Sequence, residues 1–257
     1  MTREHELAGE LAGLAVDPPA GLLDRVVARW VRVPGPVHEL GELYAAVTDA
    51  GLAYLRPGPD PAAFAEDFRA RFGRPLLPGE HPPAGLLPAL RPDGRGGASV
   101  QVDLRGLTDF ERDVLTATRR IPAGQTRPYA WVAREIGRPK AVRAVGSALG
   151  RNPVPIVIPC HRVTRSDGEP GGYVFGASAK ERLLRAERVN LDEVRELARG
   201  RMHLLGSDTT GIVCYPTCAD ARRIAEGHRV GFRDMAAAAG AGYRPCRKCR
   251  PGTAQLL

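Results

Sequence analysis

The sequence predicts an α+β protein of three units: a small mixed α/β unit, a helical unit built around a helix-turn-helix, and a small four-cysteine domain. Three observations carry this prediction. Two short apolar runs, Leu43–Val47 and Leu52–Leu55, flank the turn Thr48-Asp49-Ala50-Gly51, which is a β-hairpin signal. From Thr108 onward the apolar residues recur at helical spacing. Four of the five cysteines, Cys214, Cys218, Cys246 and Cys249, crowd toward the C-terminal end. These boundaries give units at 1–99, 100–195 and 200–257.

In the first unit, Leu22–Val33 reads as a leading amphipathic helix stopped by Pro34, and the hairpin follows. Pro61–Phe72 reads as a helix, with Pro in its first turn and Phe64, Phe68 and Phe72 four residues apart. Residues 73–99 are rich in Pro and Gly and read as a linker or irregular loop. Val100–Leu104 alternates like a strand.

In the second unit, Thr108 and Glu111 form a capping-box pattern ahead of a helix over 109–120. Two short helices follow, at about Tyr129–Ile136 and Lys140–Leu149, each stopped by a glycine. The second is lean: Ala141, Ala144, Gly146 and Ser147 would let its backbone approach another surface, whether a neighbouring helix or a ligand. Pro153–Pro159 reads as extended, and helices return over 177–187 and 191–197. The third unit has strand signals near 202–205 and 211–214 and a helix over 232–239.

The chain has 257 residues, 43% hydrophobic and 26% charged, an ordinary globular composition. No apolar run approaches the ~18–20 residues that span a bilayer, and the charged N-terminus does not read as a signal peptide. A cytoplasmic protein without membrane contact is expected. Residues 1–102 carry 10 Lys and Arg against 13 Asp and Glu, whereas 103–190 carry 16 against 9 and 195–257 carry 11 against 5. Two basic regions fit a polyanion binder, though an Arg-rich solvated surface has the same charge.

Five cysteines are an odd number, which argues for reactive or metal-bound thiols over a disulfide framework. Cys160 stands apart, in Ile158-Pro159-Cys160-His161-Arg162-Val163. A thiol attacks only as thiolate, and His161 and Arg162 are the neighbours that would favour one. A lone Cys is also a common small core residue. The whole stretch Asn152-Pro-Val-Pro-Ile-Val-Ile-Pro-Cys160-His-Arg-Val163 strongly resembles the active-site signature of O6-alkylguanine-DNA alkyltransferases, over about residues 100–190. The hairpin LYAAVTDAGLAYL resembles the N-terminal subdomain of that family, a ribonuclease-like α/β fold, and the family's helical subdomain is a winged helix-turn-helix.

The resemblance implies roles. Cys160 is the alkyl acceptor, His161 deprotonates it through a water, and Glu187 orients His161. Asn152 holds the active-site loop, and Tyr129 donates to the guanine ring. Arg143 fills the gap left by a flipped base, Tyr173 walls the pocket, and the backbone at Cys160, Val163 and Val174 reads the base edge. Ala141, Ala144, Gly146 and Ser147 enter the minor groove of double-stranded alkylated DNA, with little sequence preference. The transfer is irreversible, so each molecule acts once. Pro155 and Gly171 match positions that leave room for groups larger than methyl. A monomer without an obligate protein partner is expected.

Cys214-x3-Cys218 and Cys246-x2-Cys249, 27 residues apart, have the spacing of a four-thiolate zinc site binding one Zn²⁺. Thr209-Thr210-Gly211-Ile212-Val213-Cys214-Tyr215-Pro216-Thr217-Cys218 and Gly242-Tyr243-Arg244-Pro245-Cys246-Arg247-Lys248-Cys249 closely resemble the Ada-type zinc domain. The resemblance implies that Cys214 could itself accept a methyl group from a DNA phosphotriester, and that Thr210 and Lys248 touch DNA. Zinc as a fold staple remains the competing use of the same thiolates. Lys248 replaces an arginine, the loop between the cysteine pairs is one residue longer, and the unit follows the alkyltransferase instead of preceding it. Direct transcriptional activation is not expected. A non-catalytic lesion sensor is the remaining alternative, and Cys160 with His161 and Glu187 argues against it.

Overall fold

The computed structural model describes residues 22–58, 60–93 and 100–252. The N-terminal stretch read for a targeting signal, and residues 94–99 of the Pro/Gly-rich segment, lie outside them. The first sheet has strands β1 (Ala28–Pro34), β2 (Glu42–Thr48), β3 (Gly51–Pro57) and β4 (Leu76–Pro78) in the order β3-β2-β1-β4. The β2–β3 hairpin is antiparallel, and β1 pairs antiparallel with β2 and parallel with β4.

The expected leading helix is corrected here: α1 covers only Leu22–Val26, and from Ala28 the chain is a strand. Trp30, Val31 and Val33 are aromatic or β-branched, which suits a pleated surface better than a helix. Helix α2 (Pro61–Phe72) forms as expected. The Asp60 side chain accepts hydrogen bonds from the amides of Ala62 and Ala63, and Gly73 closes the helix at φ 63°. It packs Phe64 and Phe68 on Tyr44, Ala46 and Tyr54 of the sheet. The opposite face of the same strands, Leu43, Ala45, Leu52 and Leu55, joins the main core. Burial on both faces explains why these strands are apolar without alternation. Val100–Leu104 is not a strand: it makes a single bridge between Val102 and Leu52.

The second unit has α4 (Asp109–Arg119), α5 (Tyr129–Glu135), α6 (Val142–Gly150), α7 (Ala177–Ala186) and α8 (Leu191–Arg199), with α3 (Leu86–Ala89) preceding them. The capping box at Thr108 and Glu111 is present. Val114 and Leu115 of α4, Val132 of α5 and Val145 of α6 share the core of the first unit's strands, so the two units pack as one body. A two-stranded parallel pair, β5 (Arg127–Pro128) with β6 (Val163–Thr164), ties the start of α5 to the segment after Cys160.

The third unit is a sheet of β7 (Leu204–Ser207), β8 (Ile212–Cys214), β9 (Arg229–Phe232) and β10 (Arg244–Pro245), ordered β10-β8-β7-β9. Helix α9 (Met235–Gly240) packs Met235 and Ala238 on Leu204, Val213 and Phe232. The helix expected from Phe232 begins three residues later, because Phe232 ends β9 and Asp234 caps the helix. No helix among the described residues is long and apolar enough to cross a membrane.

Candidate active site and metal centre

Residues 152–160 form a buried loop of turns, where an extended segment was expected. Asn152 organises it. Its carboxamide oxygen accepts from the Val154 amide at 3.0 Å, and its nitrogen donates to the Ile158 carbonyl at 2.9 Å and to Cys160 Sγ at 3.2 Å. Ile156 sits at φ 74°, a left-handed conformation that costs a β-branched residue about 1–3 kcal/mol. The N-terminal sheet carries part of that load. The Leu55 amide donates to the Pro153 carbonyl at 2.9 Å, and Arg56 donates to the carbonyls of Pro153 and Asn152 at 3.1 and 3.2 Å.

Cys160 opens a 3₁₀ turn, Cys160–Arg162, and is 5% exposed. Burial pushes its thiol up, against the opposing pull of the Asn152 hydrogen bond and of Lys180 and Arg56. The resting group is therefore a thiol that needs a base. His161 Nε2 lies 2.9 Å from Glu187 Oε1, both buried. A carboxylate only accepts, so Nε2 carries the proton and Nδ1 presents its lone pair. Nδ1 is buried with no hydrogen-bond partner among the described residues. Burial lowers the His161 pKa, which Glu187 opposes, so the ring is neutral near pH 7.

Arg162 does not flank the thiol as the sequence suggested. It turns to Glu187, with its Nε 2.9 Å from Oε2 and its NH2 2.7 Å from Oε1, and also donates to the Ile121 carbonyl at 2.7 Å. Burial alone would raise Glu187, but His161 and Arg162 hold it down at about 2. The Gly124 amide donates to the other side of the carboxylate at 3.1 Å.

Tyr129 begins α5, half-buried, with burial raising its pKa. A Cβ on Gly171, at φ 70°, would lie 3.2 Å from the Tyr129 hydroxyl, so only glycine leaves that oxygen its space. Tyr173 lies edge-on to His161 at 6.1 Å, and among the described residues its buried hydroxyl has no hydrogen-bond partner. Val163 is buried and Val174 is half-buried. Lys180 is the residue that sequence reasoning missed. It is 0% exposed and donates to the carbonyls of Val163 at 2.6 Å and Gly172 at 3.3 Å. Burial brings its ammonium down to about 8, with Cys160 opposing. The signal was available: Lys180 shares the inward face of α7 with Ala179, Leu183 and Leu184, where a solvated lysine does not belong.

On α6, Arg143, Ala144 and Ser147 are exposed, while Ala141 and Gly146 are half-buried. Among the described residues Arg143 pairs with no carboxylate. A Cβ on Gly146 would lie 3.9 Å from the Tyr129 ring, so part of the lean side packs within the protein while Arg143, Ala144 and Ser147 face outward.

In the third unit the sulfurs of Cys214, Cys218, Cys246 and Cys249 lie within 4.8 Å of one another, all buried. A tetrahedron of Zn–S bonds near 2.3 Å needs sulfurs about 3.8 Å apart, so these thiols fit the ion with little movement. Cys214 lines a cleft of about 660 Å³ together with Thr210, Arg223, Arg244, Arg247 and Lys248. Lys248 is tied to Asp220 at 2.7 Å.

Residues 109–189 match the family described as 6-O-methylguanine DNA methyltransferase, DNA binding domain, and residues 197–252 match the metal binding domain of Ada. The bifunctional transcriptional activator/DNA repair enzyme Ada of Escherichia coli is 37% identical over 160 residues, which is 59% of this chain and 44% of that protein. The methylated-DNA–protein-cysteine methyltransferase of Methanosarcina barkeri is 52% identical over 84 residues, 33% of this chain and 53% of that one. The chain thus spans about half the length of these curated relatives. A crystal structure of Mycobacterium tuberculosis OGT in complex with DNA superposes with a TM-score of 0.50 at 32% identity, covering 65% of this chain and 98% of that one. With its thiol, imidazole and carboxylate so arranged and four further thiols gathered in the third unit, the chain belongs to the O6-methylguanine-DNA methyltransferase family, joined to an Ada-type zinc-binding domain.

Proposed function

We propose that this protein removes the alkyl group from O6-alkylguanine in double-stranded DNA and keeps it on Cys160. The observation that carries this reading is a buried Cys160 thiol held by Asn152, next to a His161 whose tautomer is set by Glu187. The His161 Nδ1 lone pair takes the thiol proton through a water. Cys160 Sγ then attacks the alkyl carbon, the S–C bond forms, and the C–O6 bond breaks. The electron pair goes to guanine, and the Tyr129 hydroxyl hydrogen-bonds the ring as charge develops. The product is a thioether, whose C–S bond is stable because thiolate leaves a saturated carbon poorly, so the protein acts once. Lys180 steadies the Val163 carbonyl that faces the base edge, and the backbone at Val174 and the ring of Tyr173 complete the pocket.

The guanine must leave the helix to reach a buried thiol, and flipping costs a few kcal/mol. Arg143, Ala144 and Ser147 form the exposed face of α6 that suits a minor groove about 6 Å wide. Arg143→Ala is expected to slow repair of duplex DNA about tenfold or more, while leaving reaction with a free alkylguanine base near the wild-type rate. Equal losses on both substrates in single-turnover assays would remove Arg143 from the flipping step.

When bound, zinc holds the four thiols as thiolates and keeps the third unit folded. A second reading, methyl transfer from phosphotriesters to Cys214, is favoured by the cationic cleft that Cys214 lines with Arg223, Arg244 and Arg247. Intact-mass analysis with peptide mapping separates the readings. One methyl on Cys160 after incubation with O6-methylguanine DNA is expected. A further methyl on Cys214 from phosphotriester DNA supports the second reading. No adduct on either residue supports a lesion sensor and sinks the proposal. The protein is proposed to act as a monomer.

A further inference from the structure

The third unit docks on the alkyltransferase unit at several places, among them Trp131, Arg134, Glu135 and Glu193, and one of these contacts, the loop Pro122 to Thr126, holds the active-site carboxylate. The Gly124 amide donates to Glu187 Oε2 at 3.1 Å. The carbonyl of the same residue accepts from Arg222 of the third unit at 2.9 Å. Two residues on, the buried Thr126 amide donates to Thr217 Oγ1 at 2.9 Å, and the two hydroxyls lie 3.2 Å apart. Thr126 leads directly into β5, which pairs with β6 behind Cys160, and then into Tyr129.

Both clamps are anchored at a metal ligand. Thr217 immediately precedes Cys218, and the Arg222 amide donates to the Cys218 carbonyl at 3.1 Å. A second ligand is also engaged, since the Trp131 indole N–H donates to the Cys249 carbonyl at 3.0 Å. Gly124 stands at φ 71°, and a Cβ there would lie 2.8 Å from the Glu187 carbonyl and 3.3 Å from the Arg222 guanidinium. The loop is thus pressed between Glu187 and the third unit with no room for a side chain.

From this geometry we infer that Thr217 and Arg222 are positioning residues for the Cys160 reaction: the zinc-bearing unit braces the Gly124 loop, and through it Glu187 and His161. This rests on the alkyl-transfer reading of Cys160. The third unit then has a role that needs no DNA, in addition to any grip on it. Thr217 is the stronger brace, being buried, whereas Arg222 is exposed apart from its contact.

The test is single-turnover labelling of the zinc-loaded full chain by free O6-benzylguanine, followed at Cys160 by peptide mass spectrometry. DNA is absent, so DNA binding cannot contribute. Thr217→Val keeps the volume and removes the hydroxyl; its limiting rate is expected to fall about tenfold at an unchanged half-saturating concentration and one zinc per chain. Arg222→Ala should fall about threefold, and Arg222→Lys, which can still donate to the Gly124 carbonyl, should recover most of that. Wild-type limiting rates in both Thr217→Val and Arg222→Ala, or a change confined to half-saturation, would overturn the inference. Should Thr217→Val lose its zinc, the Arg222 pair decides alone. A wild-type chain inert to both benzylguanine and O6-methylguanine DNA is instead a failure of the alkyl-transfer reading. Alkylation of Cys160 by iodoacetamide then reads the same brace, and equal rates in wild type and Arg222→Ala overturn it.

Discussion

Glu187→Gln is expected to slow alkyl transfer to Cys160 about a thousandfold and to destabilise the protein by about 3 kcal/mol. The kinetic loss follows from the tautomer. Glu187 accepts the Nε2 proton of His161, which leaves Nδ1 free to accept. A glutamine amide can donate to Nε2 instead, and the proton then moves to Nδ1, where it blocks removal of the thiol proton. The stability loss follows from Arg162, whose buried guanidinium would lose its carboxylate.

The pH dependence of the difference is a further check. Glu187 titrates at about 2, below its ordinary value of 4.5. Its contribution is therefore complete above pH 4.5 and lost as pH falls toward 2, a shift worth about 3 kcal/mol. Urea unfolding of wild type and variant should differ at pH 7 and converge in acid. His161 also titrates below its ordinary value of 6.5, so the acid limb of the wild-type rate should lie below that pH. Wild-type labelling kinetics in Glu187→Gln would exclude the carboxylate from the reaction.

Removing the metal has the second large expected effect. The third unit has a small apolar core, with Leu204, Val213, Phe232, Met235 and Ala238 buried. Such a core supplies only a few kcal/mol, against the ~10–16 kcal/mol of apparent binding energy of a structural zinc. Chelation, or Cys218→Ser, is expected to unfold residues 204–252 while the core around Val114 and Leu115 persists. Hydrogen exchange reads both regions in one experiment. Amides of β7 that stay protected after the metal is gone would show that the unit stands on its packing alone.

Much of the site was legible because its residues are close in sequence or held by fixed spacing. Asn152, Cys160 and His161 lie within ten residues, and the four cysteines announce themselves in two pairs. The hairpin, the helix over Pro61–Phe72 and the capping box at Thr108 follow local rules and formed as read. The errors fall where local signals compete. Leu22–Val33 has apolar residues that satisfy a helical period, yet Trp30, Val31 and Val33 found partners in β2, 10 to 16 residues away. Loop 152–160 looked extended from its prolines and branched residues, but the Asn152 side chain folds it into turns that no period encodes.

By itself the sequence determined the chemistry available: a cysteine nucleophile with its imidazole, a carboxylate at 187, a lean helix and four metal-binding thiols. Only the tertiary structure decided how those groups are used. It turned Arg162 away from the thiol and onto Glu187, buried Lys180 under the Val163 carbonyl, and set the zinc unit against the Gly124 loop. The physical reason is that local pattern reports backbone preference and periodic burial. The partner of a buried charge is chosen by desolvation, which forces it onto whichever acceptor the folded chain brings within reach.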